Sequence, residues 1–253
     1  MNASGRKTIL AALLLVNVLG AGCVANDNSL AIYRVLDLKI EQGDQPDTYV
    51  CVIDPGQAQG SYCDSGTLDF DTSFWNDQGP FFTLWISLVN YLPENSNVDI
   101  GQLNTNDIRL ERIEVRYRWE GTTTQETMAE AGLDMLKILE DSSVVAEIHV
   151  SGDRIPASSD GINPTEYYPV EVIAIPPDVG TVLSNSLSSL DDSVLRKLTL
   201  TMYLRAVGTT VGGTHVESAD YRFPIGLCNG CLNGMSGCYP GQNPYTNRCL
   251  LSK

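Results

Sequence analysis

Histidine is nearly missing from this sequence: 253 residues hold two, His149 and His215. A Ser-His-Asp or Cys-His catalytic arrangement would have to recruit one of them, and no G-x-S-x-G turn supplies a nucleophile. His149 shares a strand face with Val145, Glu147 and Ser151, and His215 stands beside a glycine turn, so both are expected at the surface. No P-loop or G-x-G-x-x-G follows a strand, which removes the common phosphate cradles. Basic residues are few, 16 Lys and Arg against 31 Asp and Glu. A surface of that sign repels phosphate backbones, so no nucleic-acid partner is expected. No cofactor motif is found. Acidity itself fits solubility outside the cell or, as the alternative, divalent-cation binding.

Residues 1–22 read as an export signal. Arg6 and Lys7 make a positive start, residues 8–19 are almost wholly apolar, and Gly20, Ala21 and Gly22 lead into Cys23. The apolar stretch is short for a membrane span. A signal ending in cysteine resembles the lipobox of bacterial lipoproteins, with Gly20 standing where that pattern prefers a branched apolar residue. The resemblance implies a thioether link from Cys23 to diacylglycerol, removal of the signal, and acylation of the new N-terminus, palmitate being the expected chain. The alternative is an ordinary cleaved signal followed by a free cysteine; an exposed thiol there would be a reactive liability, which favours the lipid. Acyl chains at about 0.8 kcal/mol per buried CH₂ would anchor the protein to the membrane without a spanning helix. Residues 23–29 are a polar tether. Val24 is not the aspartate that retains enterobacterial lipoproteins at the inner membrane, so the outer membrane is the expected site, its face left open.

Without Arg6 and Lys7 the remainder carries 14 basic and 31 acidic residues, a formal charge of −17. About 230 residues remain, enough for one all-β domain or two small ones. No repeat or linker divides them, so residues 30–227 are read as one domain and 228–253 as a cysteine-rich tail. Setting Cys23 aside leaves Cys51, Cys63, Cys228, Cys231, Cys238 and Cys249, an even set that implies disulfides in an oxidising compartment. Proximity favours Cys51–Cys63, which leaves two bridges among the four tail cysteines. Closing a loop of roughly the Cys51–Cys63 size contributes about 3 kcal/mol in the chain-entropy account. Cys228-Asn-Gly-Cys231 lacks the βαβ context of a thioredoxin-like pair and fails as haem attachment, since Leu232 replaces the required histidine. The four tail cysteines match a Cys₄ zinc site loosely, and disulfides are favoured over it.

Alternation is the main structural signal. Leu30, Ile32, Leu36, Leu38 and Ile40 lie on one strand face, and residues 49–53 form a second strand before the turn Asp54-Pro-Gly56. Residues 81–92, apolar on both faces, predict a central strand covered on both sides. In residues 108–119 the apolar parity changes at Glu111–Arg112, as a β-bulge requires. Further strands follow at Val144 to Val150, at Val170, Val172 and Ala174, from Leu198 to Ala206, and at Ala219, Tyr221, Phe223 and Ile225, with Val211-Gly-Gly213 as a hairpin turn. Together they predict a mainly β fold, a two-sheet antiparallel sandwich, immunoglobulin-like by analogy. Helices are expected over 176–190, with Asp178 as N-cap, and over 127–140; residues 151–168 read as a long loop.

Asp69, Asp71 and Asp77, around Phe74 and Trp75, are weak candidates for calcium, which takes six to eight oxygens; no EF-hand spacing is present. Trp75, Trp85 and Trp119 could form a sugar platform, though core packing is the commoner use. A carboxylate-pair hydrolase acting on envelope polysaccharide stays open, because its acids need no local motif.

Residues 170–177, the strand 198–208, the segment 214–225 and Cys228-x-x-Cys231-Leu232 resemble an uncharacterised lipoprotein family of myxobacteria and related δ-proteobacteria. The likeness covers roughly residues 165–250 and the lipobox, and implies a β-rich envelope protein with no catalytic residue to carry over. The reading is a non-enzymatic, lipid-anchored envelope protein that binds or scaffolds an envelope protein or glycan.

Overall fold

The computed structural model describes residues 29–36, 62–71, 80–95, 104–133 and 154–232, together with the backbone of two strands at 39–42 and 49–52. The strands are β1 Leu30–Leu36, β2 Lys39–Gln42, β3 Tyr49–Val52, β4 Tyr62–Cys63, β5 Gly66–Asp69, β6 Phe82–Asn90, β7 Ile108–Trp119, β8 Arg154–Ile155, β9 Tyr168–Ile175, β10 Thr199–Thr210, β11 His215–Glu217 and β12 Tyr221–Cys228. Among the described residues three helices join them: α1 Thr122–Glu130, α2 Pro177–Leu187 and α3 Asp192–Leu195. The fold is mainly β, as its alternating pattern predicts.

One sheet runs β4-β1-β6-β9 and the other β5-β12-β10-β7-β8, with β11 beside the far half of β10; β2 and β3 form a separate ribbon. Among the described residues β5–β12 is the one parallel ladder, which departs from an all-antiparallel sandwich. The inner faces bury Leu30, Ile32, Leu84, Ile86 and Leu88 from the first sheet and Ile113, Val115, Leu200, Met202, Leu204 and Ile225 from the second. Phe82 and Phe223 meet between them, ring centres 6.3 Å apart. At roughly 1.5–3 kcal/mol per buried side chain this apolar layer is the main stabilising element.

Bulges decide which residues face in. The β7–β10 register passes from Val207↔Arg112 to Gly208↔Leu110, leaving Glu111 as the extra residue, at the place where the apolar parity changes. A second bulge corrects the reading of β1. The pairing with β6 passes from Ile32↔Leu88 to Arg34↔Ser87, so Tyr33 is extra, Val35 turns inward, and Leu36 leaves the face that Leu30 and Ile32 occupy. In β9 the register passes from Ile175↔Phe82 to Ile173↔Thr83, leaving Ala174 unopposed. Its carbonyl accepts a hydrogen bond from the Tyr117 hydroxyl at 2.6 Å, which ties β7 to β9 across the core.

Strand β6 does occupy the middle of its sheet. Its outward Ser87 and Val89 are buried as fully as its inward residues, whereas outward Thr83 and Trp85 are half-buried. At its end Asn90 is fully buried and donates to the carbonyls of Asn106 (2.9 Å) and Ile155 (3.1 Å), while its Oδ1 accepts the Leu92 N–H. The turn Val211-Gly-Gly213 closes the β10–β11 hairpin, with Gly213 at φ 89°.

Both helix readings need correction. α1 starts at Thr122 and stops at Glu130, because Gly132 takes a left-handed φ of 67° and Leu133 N–H bonds back to the Met128 carbonyl. Its four threonines are poor helix formers; burial of Thr124, whose Oγ1 accepts the Thr199 N–H, holds the first turn in place. In α2 the N-cap is Pro176, and Asp178 lies in the first turn, where it complements the helix dipole. α2 carries the chain from the first sheet to the second. Between β8 and β9, residues 156–167 are loop. The expected strand at 144–150, His149, and residues 134–140 lie outside the described residues.

Candidate functional site

The bulge at Tyr33 builds the first candidate. An extra residue in a strand is pushed out of the ladder, and Tyr33 stands 41% exposed on the outer face of the first sheet. Its ring meets Tyr167 at 5.0 Å. The Arg34 guanidinium lies 4.3 Å from the Tyr33 ring centre and 5.6 Å from that of Tyr62, within cation–π range of both. Tyr62, opposite Leu36 on β4, is 58% exposed. The Tyr33–Tyr167 pair joins β1 to the residue just before β9, the two strands flanking β6, and the outward β6 residues Ser87 and Val89 are the buried ones. Burial and the neighbouring Tyr33 hydroxyl raise the Tyr167 phenol, so it stays a neutral hydrogen-bonding group at physiological pH. Tyrosine and arginine are the side chains that carry binding energy at protein interfaces, and tyrosine rings also stack on sugars.

The outer face of the second sheet gathers Arg112, Arg116, Arg118, Arg205 and Arg222, yet this is not an anion platform. Arg112 bonds Glu114 at 2.7 Å, Arg116 bonds Asp220 at 2.5 Å, and Arg205 reaches Asp220 at 3.0 Å and Glu217 at 3.4 Å. Arg222 and the Tyr203 hydroxyl both bond Glu120, and Arg118 lies 5.3 Å from the Tyr203 ring. The Tyr203 hydrogen bond, followed by Arg222 and Thr201, holds the Glu120 carboxyl below its ordinary range against the opposing effect of burial. The face neutralises itself. His215 lies exposed there beside Glu217, as expected of a surface histidine.

The second candidate is the cysteine loop that follows β12. Cys228 and Cys231 are joined in a disulfide. Cys228 ends β12, is buried, and pairs in register with Asp69, the last residue of β5. Asp69 is fully buried and accepts N–H groups from Gly230 (2.6 Å), Leu232 (2.8 Å) and Asp71 (2.9 Å). Asp192 of α3 accepts the Asn229 N–H at 3.2 Å. Two carboxylates thus take up three amides of the five-residue stretch 228–232.

The sequence candidates separate accordingly. Asp69 and Asp71 are neighbours, but Asp69 points into the cysteine loop instead of an open oxygen cage, and Asp77 lies outside the described residues. Among the described residues, Asp69, Cys228 and Cys231 are the one grouping of three potential metal-ligating side chains, their ligand atoms within 4.8 Å of one another. Trp85 and Trp119 do not share a platform: Trp85 is outward on the first sheet, whereas Trp119 packs against the core from the second. Trp75, Cys23, Cys238 and Cys249 lie outside the described residues. Cys51 stands in β3 opposite Ile40, and Cys63 ends β4 opposite Val35. Ser29, the last residue of the expected tether, is buried, and its carbonyl accepts the Tyr91 N–H at 2.7 Å. Sequence reading missed the tyrosine patch; the step from Ile32 to Val35 was its signal. No helix among the described residues is long and apolar enough to cross a membrane. No family model matches the chain, and comparison with curated proteins and with solved structures gives no match.

Proposed function

We propose that the chain is an exported lipoprotein, anchored in the outer membrane through Cys23, that binds an envelope protein or glycan without catalysing a reaction. The observation that carries the binding role is the Tyr33–Arg34–Tyr62–Tyr167 patch. Exposed rings are held in place by a cation and by each other, so little side-chain entropy is left to lose when a partner docks. The export signal and the lipobox resemblance support the address.

Two measurements test the halves separately. Intact mass of the protein purified from its own membranes is expected to show a diacylglycerol and acyl adduct on Cys23, removed by Cys23→Ser; an unlipidated mass refutes the anchor. Site-specific photocrosslinking from position 62 in intact envelopes is expected to give one discrete adduct, a protein or a glycan fragment, lost on Tyr33→Ala or Arg34→Ala. The same adducts from position 182, exposed on α2 beyond the end of β9 opposite to Tyr167, would refute the surface.

A further inference from the structure

We propose that Cys228–Cys231 is an exchangeable disulfide, with Asp69 as the base that serves the buried sulfur. The loop is held by groups other than its own S–S bond. Asp69 binds the N–H groups of Gly230 and Leu232, and Asp192 binds that of Asn229. The Phe70 N–H donates to the Cys228 carbonyl at 2.9 Å, and Gly230 supplies the left-handed φ of 74° that the turn requires. Opening the bond therefore leaves two thiols facing each other in a preformed loop, the condition for rapid and reversible closure.

The two sulfurs are unequal. Cys231 is half-buried and open to attack, whereas Cys228 is 2% exposed and lies within 4.8 Å of a carboxylate oxygen of Asp69. The co-reactant is a dithiol, as small molecule or protein. Its thiolate attacks Cys231 Sγ, the Cys228–Cys231 bond breaks, and a mixed disulfide forms on Cys231 while the Cys228 sulfur leaves as thiolate and takes a proton from solvent that the Asp69 carboxylate relays. The second thiol of the co-reactant then attacks its own sulfur in the mixed disulfide and releases Cys231. Two electrons and two protons pass to the chain, and the co-reactant becomes a disulfide. In the closing direction the Asp69 carboxylate accepts the Cys228 S–H proton as that sulfur attacks Cys231 Sγ in the mixed disulfide, whose other sulfur leaves as the co-reactant thiolate.

The test uses the whole chain. Dithiothreitol is expected to open Cys228–Cys231 while the far-ultraviolet circular dichroism stays native, read by alkylation and mass spectrometry of the peptide that holds both cysteines. After the reductant is removed, closure by oxidised glutathione is followed against pH. Wild-type closure is expected to persist at about pH 6, well below the ordinary thiol value of about 8.5. Asp69→Asn is expected to close roughly tenfold or more slowly there, with a rate that follows thiol ionisation. Asp192→Asn, which alters the other carboxylate holding the loop, is expected to close as wild type does. A bond that dithiothreitol cannot open in the folded chain overturns the proposal, as does equal slowing in both variants or none in Asp69→Asn. Should Asp69→Asn fail to fold, the wild-type profile decides: closure that falls tenfold per pH unit below thiol ionisation overturns it.

Discussion

Replacing Asn90 by aspartate exchanges one NH₂ group for oxygen and changes almost nothing in volume, so its effect isolates hydrogen bonding. In the native chain that NH₂ donates to two carbonyls, Asn106 O and Ile155 O, at a site with no solvent exposure. An ionised carboxylate there would lose both donors and set a desolvated charge against two carbonyl dipoles. Two lost hydrogen bonds at about 1 kcal/mol each, together with the cost of an uncompensated buried charge, give roughly 3–5 kcal/mol. At about 2–4 °C per kcal/mol for a domain of this size, the melting temperature should fall by roughly 6–20 °C. The sign with pH follows from the same contacts. Protonation returns one donor, so the folded-state value of the introduced carboxyl must lie above its unfolded value of about 3.9. The deficit is then smallest below the unfolded value and grows as pH rises through the folded one. Urea midpoints of wild type and Asn90→Asp should therefore differ most near pH 7 and approach each other near pH 4, whereas Asn90→Leu should show a pH-independent loss. An Asn90→Asp gap that is small, or equal at both pH values, would refute the role given to this side chain.

Helix propensity predicts that Gly180→Ala in α2 stabilises by about 1 kcal/mol, but a Cβ there would sit 1.6 Å from the Pro80 carbonyl oxygen. The clash is with backbone, so the variant should instead melt well below wild type in calorimetry. Tyr117→Phe leaves the bulge carbonyl of Ala174 without its donor and should cost about 1–3 kcal/mol in chemical denaturation. The depressed Glu120 carboxyl contributes stability that is present above its unfolded value and lost as pH falls through the lower folded one. Glu120→Gln should flatten that acid limb of the stability curve, measured as urea midpoint against pH.

Much of the fold is written in the alternation because one face of each sheet is buried, and a period of two then records the inside directly. The β7 bulge was legible for the same reason: even apolar positions at Ile108 and Leu110 give way to odd ones at Ile113 and Val115. The β1 bulge obeys the same physics and was hidden, because Leu36, Leu38 and Ile40 continue the even parity past the shift and mask the inward turn of Val35. Helix ends were less legible. What starts α1 is the tertiary bond between Thr124 and the Thr199 amide, a residue on a distant strand, and no local propensity reports it.

The candidate sites show where such hidden shifts matter. Tyr33 reads in sequence as one more outward residue of a strand; it becomes the centre of an aromatic patch because the bulge takes it out of the ladder and turns Arg34 toward the same face. Asp69 reads as an acid in an acidic loop. The parallel pairing of β5 with β12 sets it beside Cys228, although 159 positions separate the two in the chain. A parallel neighbour of this kind is a non-local choice, and the local pattern of either strand is the same whichever partner it takes. Once the pairing is made, the buried carboxylate has few ways to be satisfied, and the amides of the cysteine loop are the donors that the register brings within reach. The same register that hides the site from sequence is thus what binds the tail loop to the sheet. It would keep the loop shaped for closure after its disulfide is opened.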